Sequence, residues 1–457
     1  MSPTATPKQP PGPPRDLIGG HVLQYRRDPI SFLTGVRREY GDVAQYHLLK
    51  WPFWQLSHPA DVREVLLTQA NKVIKSPIYK MVLSKYLGNG LLISDGSFWK
   101  RQRRLAQPAF HLRRIETYAD LMTEYTDEMI AEWDQREQVD IYEEMTSLTL
   151  YLVVKIMFNT DIRGSSGAIA QGTHVLHQSV MDEQNQILRA PDWIPTPANR
   201  RKRQSIDSLN EIALKIIAER RESGEDKGDL LSMLLMAQDE DGASMSDEEV
   251  KNEALTIFLA GHDTTANALT WAWYLLSKHP EVEAKLHEEV DRVLGTRTPT
   301  LADLENLTYT EMVIKETLRI YPPAWSVART AIEDIPINNG YVIPKGMNIM
   351  ISQYVIHHDE RWFADPERFD PERFTPENEA KIPKYTYFPF LYGPRICIGN
   401  SFAMMEACLI LASIAQRYRL QLVPGEKVEF DPKLTLNPKQ GFHMRLERRK
   451  AVPAAGD

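Results

Sequence analysis

The stretch SDEEVKNEALTIFLAGHDTTANALTWAWYLLSKHP constrains the fold more than any other part of the chain. Ser246 and Glu249 stand at capping-box spacing, which marks a helix start. His279-Pro280 closes the same segment. The predicted helix runs about 30 residues, roughly 45 Å, long enough to cross a whole domain. It is apolar on most faces and should therefore be buried. Its centre breaks the pattern with Ala260, Gly261, His262, Asp263, Thr264 and Thr265. A mid-helix glycine costs on the order of 1 kcal/mol relative to alanine, and a buried acid or alcohol costs more unless hydrogen-bonded. A helix passing a polar surface would explain this blandly. Small residues beside an acid and an alcohol point instead to room for a ligand and a path for protons.

The second constraint is FPFLYGPRICIGN, Phe388 to Asn400, followed by the apolar helical run SFAMMEACLILASIAQRY. It holds Cys397, one of two cysteines in 457 residues. A free cysteine is most often a small core residue. Here it sits where a glycine-bearing loop enters a helix, and the unpaired N–H groups and dipole of a helix start favour a thiolate. Gly393 permits a tight loop and a close approach to something flat. A thiolate on such a loop, with Phe390 as a shield, suits a single metal centre. Phe390, Gly393, Arg395, Cys397 and Gly399 together match every fixed position of the haem-binding loop of the cytochrome P-450 superfamily, which the chain resembles.

The resemblance extends from about residue 20 to 446 and implies a mainly α (α+β) fold, one large helical domain with small sheets near both ends. It implies haem b ligated by Cys397, with Phe390, Gly393 and Gly399 shaping the loop. Thr264 would hydrogen-bond dioxygen, Asp263 would relay protons, and Gly261 would let the helix pass close over the haem. His262 is expected to be structural. In KETLRIYPP, Glu316 and Arg319 share a helix face; solvated, such a pair contributes only about 0.2–0.5 kcal/mol. In the family it locks onto an arginine such as Arg373 in DPERF and holds the cysteine loop. Trp99 and Arg103, four apart on a predicted helix, would meet the haem propionates with Arg329 and Arg395. The pocket would be lined by Met81, Val82, Leu83, Leu87 and Leu91, by Ala260, by Ala324, Trp325, Ser326 and Val327, and by Phe442.

Along the chain, residues 27–40 read as an amphipathic helix, and Val43–Leu48 and Phe53–Leu56 as a hairpin turning at Lys50-Trp51-Pro52. Pro59 opens a helix. IKSPIYKMVLSKYLGNGLLIS lacks a steady period and reads as a long capping loop with at most one helical turn. Helical pattern runs from Phe98 to about Gly295, broken near Pro191, Pro195 and Pro197 and again at SGEDKGD. Asn339-Gly340 signals a hairpin turn.

Composition excludes several classes. The chain is 42% hydrophobic and 25% charged, an ordinary globular balance, and its net charge of −8 gives no support for a nucleic-acid partner. Cys397 and Cys408 form neither a disulfide framework nor a CxxC metal pair. Residues 1–19 are proline-rich and expected to run extended; 447–457 read as a frayed tail. With no apolar leader or 20-residue apolar run, a cytoplasmic enzyme without a membrane anchor is expected. It would be a monooxygenase hydroxylating an apolar fatty acid, terpenoid or steroid-like substrate. Electrons would come from a ferredoxin or flavodoxin with its NAD(P)H reductase, steered to basic residues such as Lys100, Arg101 and Arg104. The competing readings are a peroxide-dependent peroxygenase and a non-enzymatic haem sensor. Asp263-Thr264 argues against both, because neither needs a proton relay.

Overall fold

The computed structural model describes residues 8–16, 19–160, 194 and 196–450. Its axis is the helix Asp247–Lys278. Both halves of the capping box form: the Glu249 N–H donates to Ser246 Oγ at 3.2 Å and the Ser246 N–H to Glu249 Oε2 at 2.8 Å. Pro280 begins the next helix, Pro280–Leu294, directly. The long helix is buried along nearly its whole length. It shares one hydrophobic core with the helices Ile141–Phe158 and Asn400–Arg417, through Leu148, Leu152, Leu269, Leu409 and Ile410. A helix apolar all round is stable only when sandwiched this way. Gly261 serves that packing, since a Cβ there would stand 3.3 Å from a Val153 methyl.

A five-stranded sheet forms from both ends of the chain, in the order Val43–Leu48, Trp51–Leu56, Asn348–Ile351, Val327–Ala331, Val73–Lys75. Trp51–Leu56 and Asn348–Ile351 pair in parallel; the other neighbours are antiparallel. Leu48 pairs with Trp51, so the first turn is Leu49-Lys50, and Trp51 and Pro52 belong to the strand rather than to the turn. Two-residue connections match the twist of paired strands, and Leu49 takes the positive φ, +55°, that such a turn demands. The Asn339-Gly340 hairpin forms between Ile335–Pro336 and Val342–Ile343, with Gly340 at φ +74°.

The segment expected to be a long capping loop is largely regular. Val73–Lys75 is a strand and Pro77–Leu87 a helix of 11 residues. Pro77 sits at the start of that helix and Gly88, at φ +56°, ends it. Burial of Leu83, Tyr86 and Leu87 against the Val154, Ala254 and Phe258 cluster supplies the stabilisation that periodicity did not announce. Only Gly88–Asp95 remains a loop with turns.

The proline-rich segment lies along the first strand. Pro11 O accepts from the Gln45 N–H at 2.8 Å, and Pro14 O is 3.0 Å from His21 Nε2. Of the proline break, Pro191 and Pro195 lie outside the described residues; Pro197 opens the helix Pro197–Ser223. Among the described residues, no helix is long and apolar enough to cross a membrane.

Candidate active site

Cys397 lies between a short turn at Gly393–Arg395 and the helix that begins at Asn400. Its N–H donates to Phe390 O at 2.9 Å, which closes the loop on itself. Gly393 adopts φ +72°, and a Cβ there would come 2.1 Å from Leu66 O. The glycine is therefore required by a neighbouring backbone as well as by its dihedral. At Gly399 a Cβ would meet only ordinary contact with Phe110. The thiol is solvent-accessible although it sits deep in the molecule. Burial is the largest influence on it and pushes its pKa up; the Gly399 N–H and the Arg103 guanidinium pull the other way. The helix start alone does not make a thiolate here, contrary to the expectation from its position, because desolvation disfavours the anion more.

The loop is anchored by a buried ion-pair group. Glu316 and Arg319 are fully buried. Arg319 Nε and Nη2 donate to the two oxygens of Glu316 at 2.7 and 2.9 Å. Arg373 Nε and the Asp370 N–H reach Glu316 Oε1 at 3.3 and 3.0 Å. The sequence did not announce the next link. Arg319 Nη1 donates to His357 O at 2.9 Å, and the buried His357 ring spans Arg319 O (3.2 Å from Nδ1) and the Phe388 N–H (3.0 Å to Nε2). Nε2 must accept from an N–H, so Nδ1 carries the proton and the ring is neutral. Burial depresses its pKa well below the usual value. The triad thus reaches the root of the cysteine loop through one imidazole.

Beside the loop lies an excess of buried positive charge. Trp99 is buried with the Arg395 guanidinium 3.6 Å above its ring. Arg103 Nη1 donates to Ile396 O at 3.0 Å. Arg395 bonds Ser94 O and Asp95 Oδ1 at 2.9 and 2.7 Å. Arg395, Arg329, Lys75 and Asp95 line one cleft. Burial and the neighbouring cations lower the pKa of Lys75, and Arg329 and Arg395 are each held down to about 10, mainly by desolvation. Asp95 is the one carboxylate lining that cleft, and it also pairs with Lys80 at 2.8 Å. A site built this way is completed by an anionic group.

At the centre of the long helix the open residues are Ala260, Gly261 and Thr264. The Thr264 hydroxyl donates back to Ala260 O at 2.8 Å. Asp263 is buried and turned to another side, where the Thr435 hydroxyl approaches its Oδ2 at 2.6 Å. Consecutive helical residues point about 100° apart, so the acid and the alcohol serve different faces. His262 is buried, with Nδ1 3.0 Å from Phe258 O, a structural contact. The long helix and the helix that follows Cys397 pack in one core, through Leu269, Leu409 and Ile410. The open Ala260–Thr264 patch lies on one of these helices, and the open thiol stands just before the other.

The comparisons agree with this arrangement. The family model described as Cytochrome P450 matches residues 10–445. "Cyclooctatin synthase" of Streptomyces melanosporofaciens is 38% identical over 424 residues, covering 92% of this chain and 91% of that protein. "Cyclooctat-9-en-7-ol 5-monooxygenase" of the same organism is 37% identical, covering 89% and 88%. A solved structure, that of the cytochrome P450DA heme domain, superposes with a TM-score of 0.89 at 29% identity, over 97% of this chain and 98% of that one.

The chain belongs to the cytochrome P450 family. It is a monooxygenase, a haem-dependent oxidoreductase that uses dioxygen and reducing equivalents to oxygenate an organic substrate. The residues present fit the haem. An accessible thiol lies beside a set of desolvated cations that exceed their carboxylates, matching the metal and the propionates of one ligand.

The residues expected to line the pocket of this P450 differ in how open they are. Val82, Ala260, Ala324, Ser326 and Val327 keep open surface. Leu83, Leu87 and Leu91 are buried in the protein's own core clusters. Met81 is 73% exposed on the outer side of its helix. Trp325 is core, its Nε1 bonded to Lys433 O at 2.9 Å. Phe442 is fully buried near Trp271 and Tyr274. Tyr79, on the helix Pro77–Leu87, and Leu434, at the tip of the Phe430–Pro438 hairpin, pack against the same cluster as Leu83 and Leu87 and were not singled out in the sequence. Tyr79 stands in the segment expected to be a loop, and Leu434 belongs to no motif.

The basic helix Gly96–Ala106 is also not the free cationic face expected for an electron donor. Arg101 pairs with Asp239 and Glu249 at 2.7 and 3.3 Å, and Arg104 with Glu240 at 2.6 Å. Acids of the 239–249 segment neutralise these arginines, and Lys100 is left exposed.

Proposed function

We propose that this P450, through its domain of residues 20–446, hydroxylates an apolar terpenoid, a cyclic hydrocarbon or its alcohol. Haem b would be held by the Cys397 thiolate, with Phe390, Gly393 and Gly399 shaping its loop. Trp99, Arg103, Arg329 and Arg395 would receive the propionates. Electrons would come from a separate ferredoxin or flavodoxin with its NAD(P)H reductase. When bound, the haem supplies dioxygen activation, and a thiolate ligand favours O–O cleavage. The chain's own residues do the rest. Glu316, Arg319 and Arg373 fix the loop that presents the sulfur. Thr264 offers a hydroxyl on the open face of the long helix, and Asp263 holds and passes a proton behind it. Ala260, Val82, Ala324 and Val327 give the substrate an apolar wall.

The observation that carries this reading is the accessible Cys397 thiol just before a helix that shares one core with the helix bearing the open Ala260–Thr264 patch. The terpenoid class is supported by a relative whose name gives a ring alcohol as the molecule it oxygenates. A fatty acid would want a cationic or hydroxyl anchor at the pocket mouth. Tyr46, one candidate for it, is fully buried and stacked on Phe53, and Lys50 lies over Trp51 at the first turn. The test is a spin-state titration of the purified holoenzyme with cyclic terpenes, their alcohols and saturated fatty acids. Micromolar shifts with the cyclic compounds are expected. Tight binding of fatty acids alone would overturn the substrate class.

A further inference from the structure

The Phe430–Pro438 hairpin does more than cover the long helix. Its turn is pinned from several sides: Trp271 Nε1 donates to Leu436 O at 2.8 Å, the Leu436 N–H to Pro323 O at 3.0 Å, and Trp325 Nε1 to Lys433 O at 2.9 Å. Leu434 packs against the cluster that holds Leu83 and Phe258. The next residue, Thr435, is buried with its Oγ1 2.6 Å from Asp263 Oδ2 and 2.6 Å from Asn437 Oδ1. Asn267 completes the group, its amide nitrogen 2.7 Å from Asp263 O and 2.8 Å from Asn437 Oδ1. The titratable group facing Asp263 from the neighbouring Ile141–Phe158 helix is Tyr142.

A hydroxyl has one hydrogen and can also accept. With Asp263 ionised, Thr435 donates to the carboxylate, a charge-assisted bond. With Asp263 protonated, the acid donates to Thr435 Oγ1 and the hydroxyl hydrogen turns to Asn437 Oδ1. Each state of the acid finds a partner at the same heavy-atom positions, and no proton leaves Thr435. A hydroxyl that can donate or accept keeps this hydrogen bond in both states of the acid, so the contact is not lost when the proton arrives or leaves.

We propose that Thr435, backed by Asn437, is a positioning residue that holds Asp263 in register through both protonation states during proton delivery. The inference rests on reading Asp263 as the acid of the site. The hydroxyl belongs to the hairpin whose neighbouring Leu434 packs against the cluster of Leu83 and Phe258, so the contact to Asp263 and that cluster share one element.

The test compares Thr435→Val, which keeps the shape and removes the hydroxyl, with Thr435→Ser, which restores it. Infrared spectra of the holoenzyme identify the Asp263 carboxyl band as the one that moves with carbon-13 aspartate labelling and is missing in Asp263→Asn. Thr435→Val should shift that band, and Thr435→Ser should return it. In parallel, NADH consumption through added ferredoxin and its reductase should fall about tenfold in Thr435→Val, with an enlarged solvent deuterium isotope effect, and recover in Thr435→Ser. An unmoved band would overturn the proposal. So would a moved band with unaltered consumption and isotope effect, which would leave Thr435 a packing contact. Failure of the underlying reading is separable: Asp263→Asn itself would then leave consumption and isotope effect unchanged.

Discussion

At Cys397 the surroundings oppose the anion that the chemistry requires. Burial raises the thiol pKa, while one N–H and Arg103 lower it. On the proposed ligation, the bound iron would favour the thiolate where the protein alone does not, since a coordinating thiol is deprotonated outright. The reduced carbon monoxide complex of the wild type should give a strongly red-shifted Soret band, and Cys397→Ala should lack it; a band retained in the variant would refute thiolate ligation. Cys397 was legible because four other fixed residues, Phe390, Gly393, Arg395 and Gly399, crowd around it. The reasons for its neighbours were not. Gly393 is demanded by Leu66 O, and Gly261 is crowded by Val153. Such contacts lie hundreds of residues or a whole helix away. The Thr435 partner of Asp263 stands 172 positions off in sequence and forms no part of any motif.

At the scale of elements, two side chains on one helix turn position a loop they scarcely touch. Arg319, held by Glu316, grips His357, and His357 grips the N–H of Phe388 where the cysteine loop begins. Removing one member strands a buried charge, so Arg319→Met should cost roughly 3–5 kcal/mol in a urea unfolding series, and a loss below about 1 kcal/mol would show the pair to be dispensable. A second element-scale device was invisible in the sequence. The Leu91 N–H donates to Glu253 Oε2 at 2.9 Å, while Lys75 Nζ donates to Leu91 O at 2.5 Å. One residue of the Gly88–Asp95 loop is thus held between a buried carboxyl on the long helix and an amine on a strand. Replacing Glu253 by Leu should speed amide exchange at Leu91 about tenfold, the loss of one buried hydrogen bond; exchange at the wild-type rate would show that loop packing alone protects it. The pattern of apolar residues foretold the long helix, because its caps and length are local facts. It misjudged Pro77–Leu87 because that helix is stabilised by what it is buried against, which no window of sequence contains.

Over the whole molecule the charge is arranged unevenly. A chain of net charge −8 buries a cluster of cations around its site and several neutral histidines elsewhere. His287, His357 and His358 all have depressed pKa values through burial, His287 and His358 to about 3. His287 is the cleanest to isolate, since its Nε2 has no partner and it sits on Pro280–Leu294, away from the cysteine loop. In the unfolded chain it takes up a proton below its ordinary value of 6.5, and in the folded chain it does not until about 3. The unfolded state then binds more protons, so stability is fully present above pH 6.5 and declines as pH falls toward 3. One such group costs about 1.4 kcal/mol per pH unit across that window. His287→Leu has no proton to take up. Measured by urea unfolding between pH 5 and 6, the wild type should therefore lose about 1.4 kcal/mol more per pH unit than the variant. Above pH 7 the difference between the two should stop changing. Parallel pH profiles throughout would mean that His287 is already charged in the folded protein, and that the flanking Arg419 and Arg449 do not face a neutral ring.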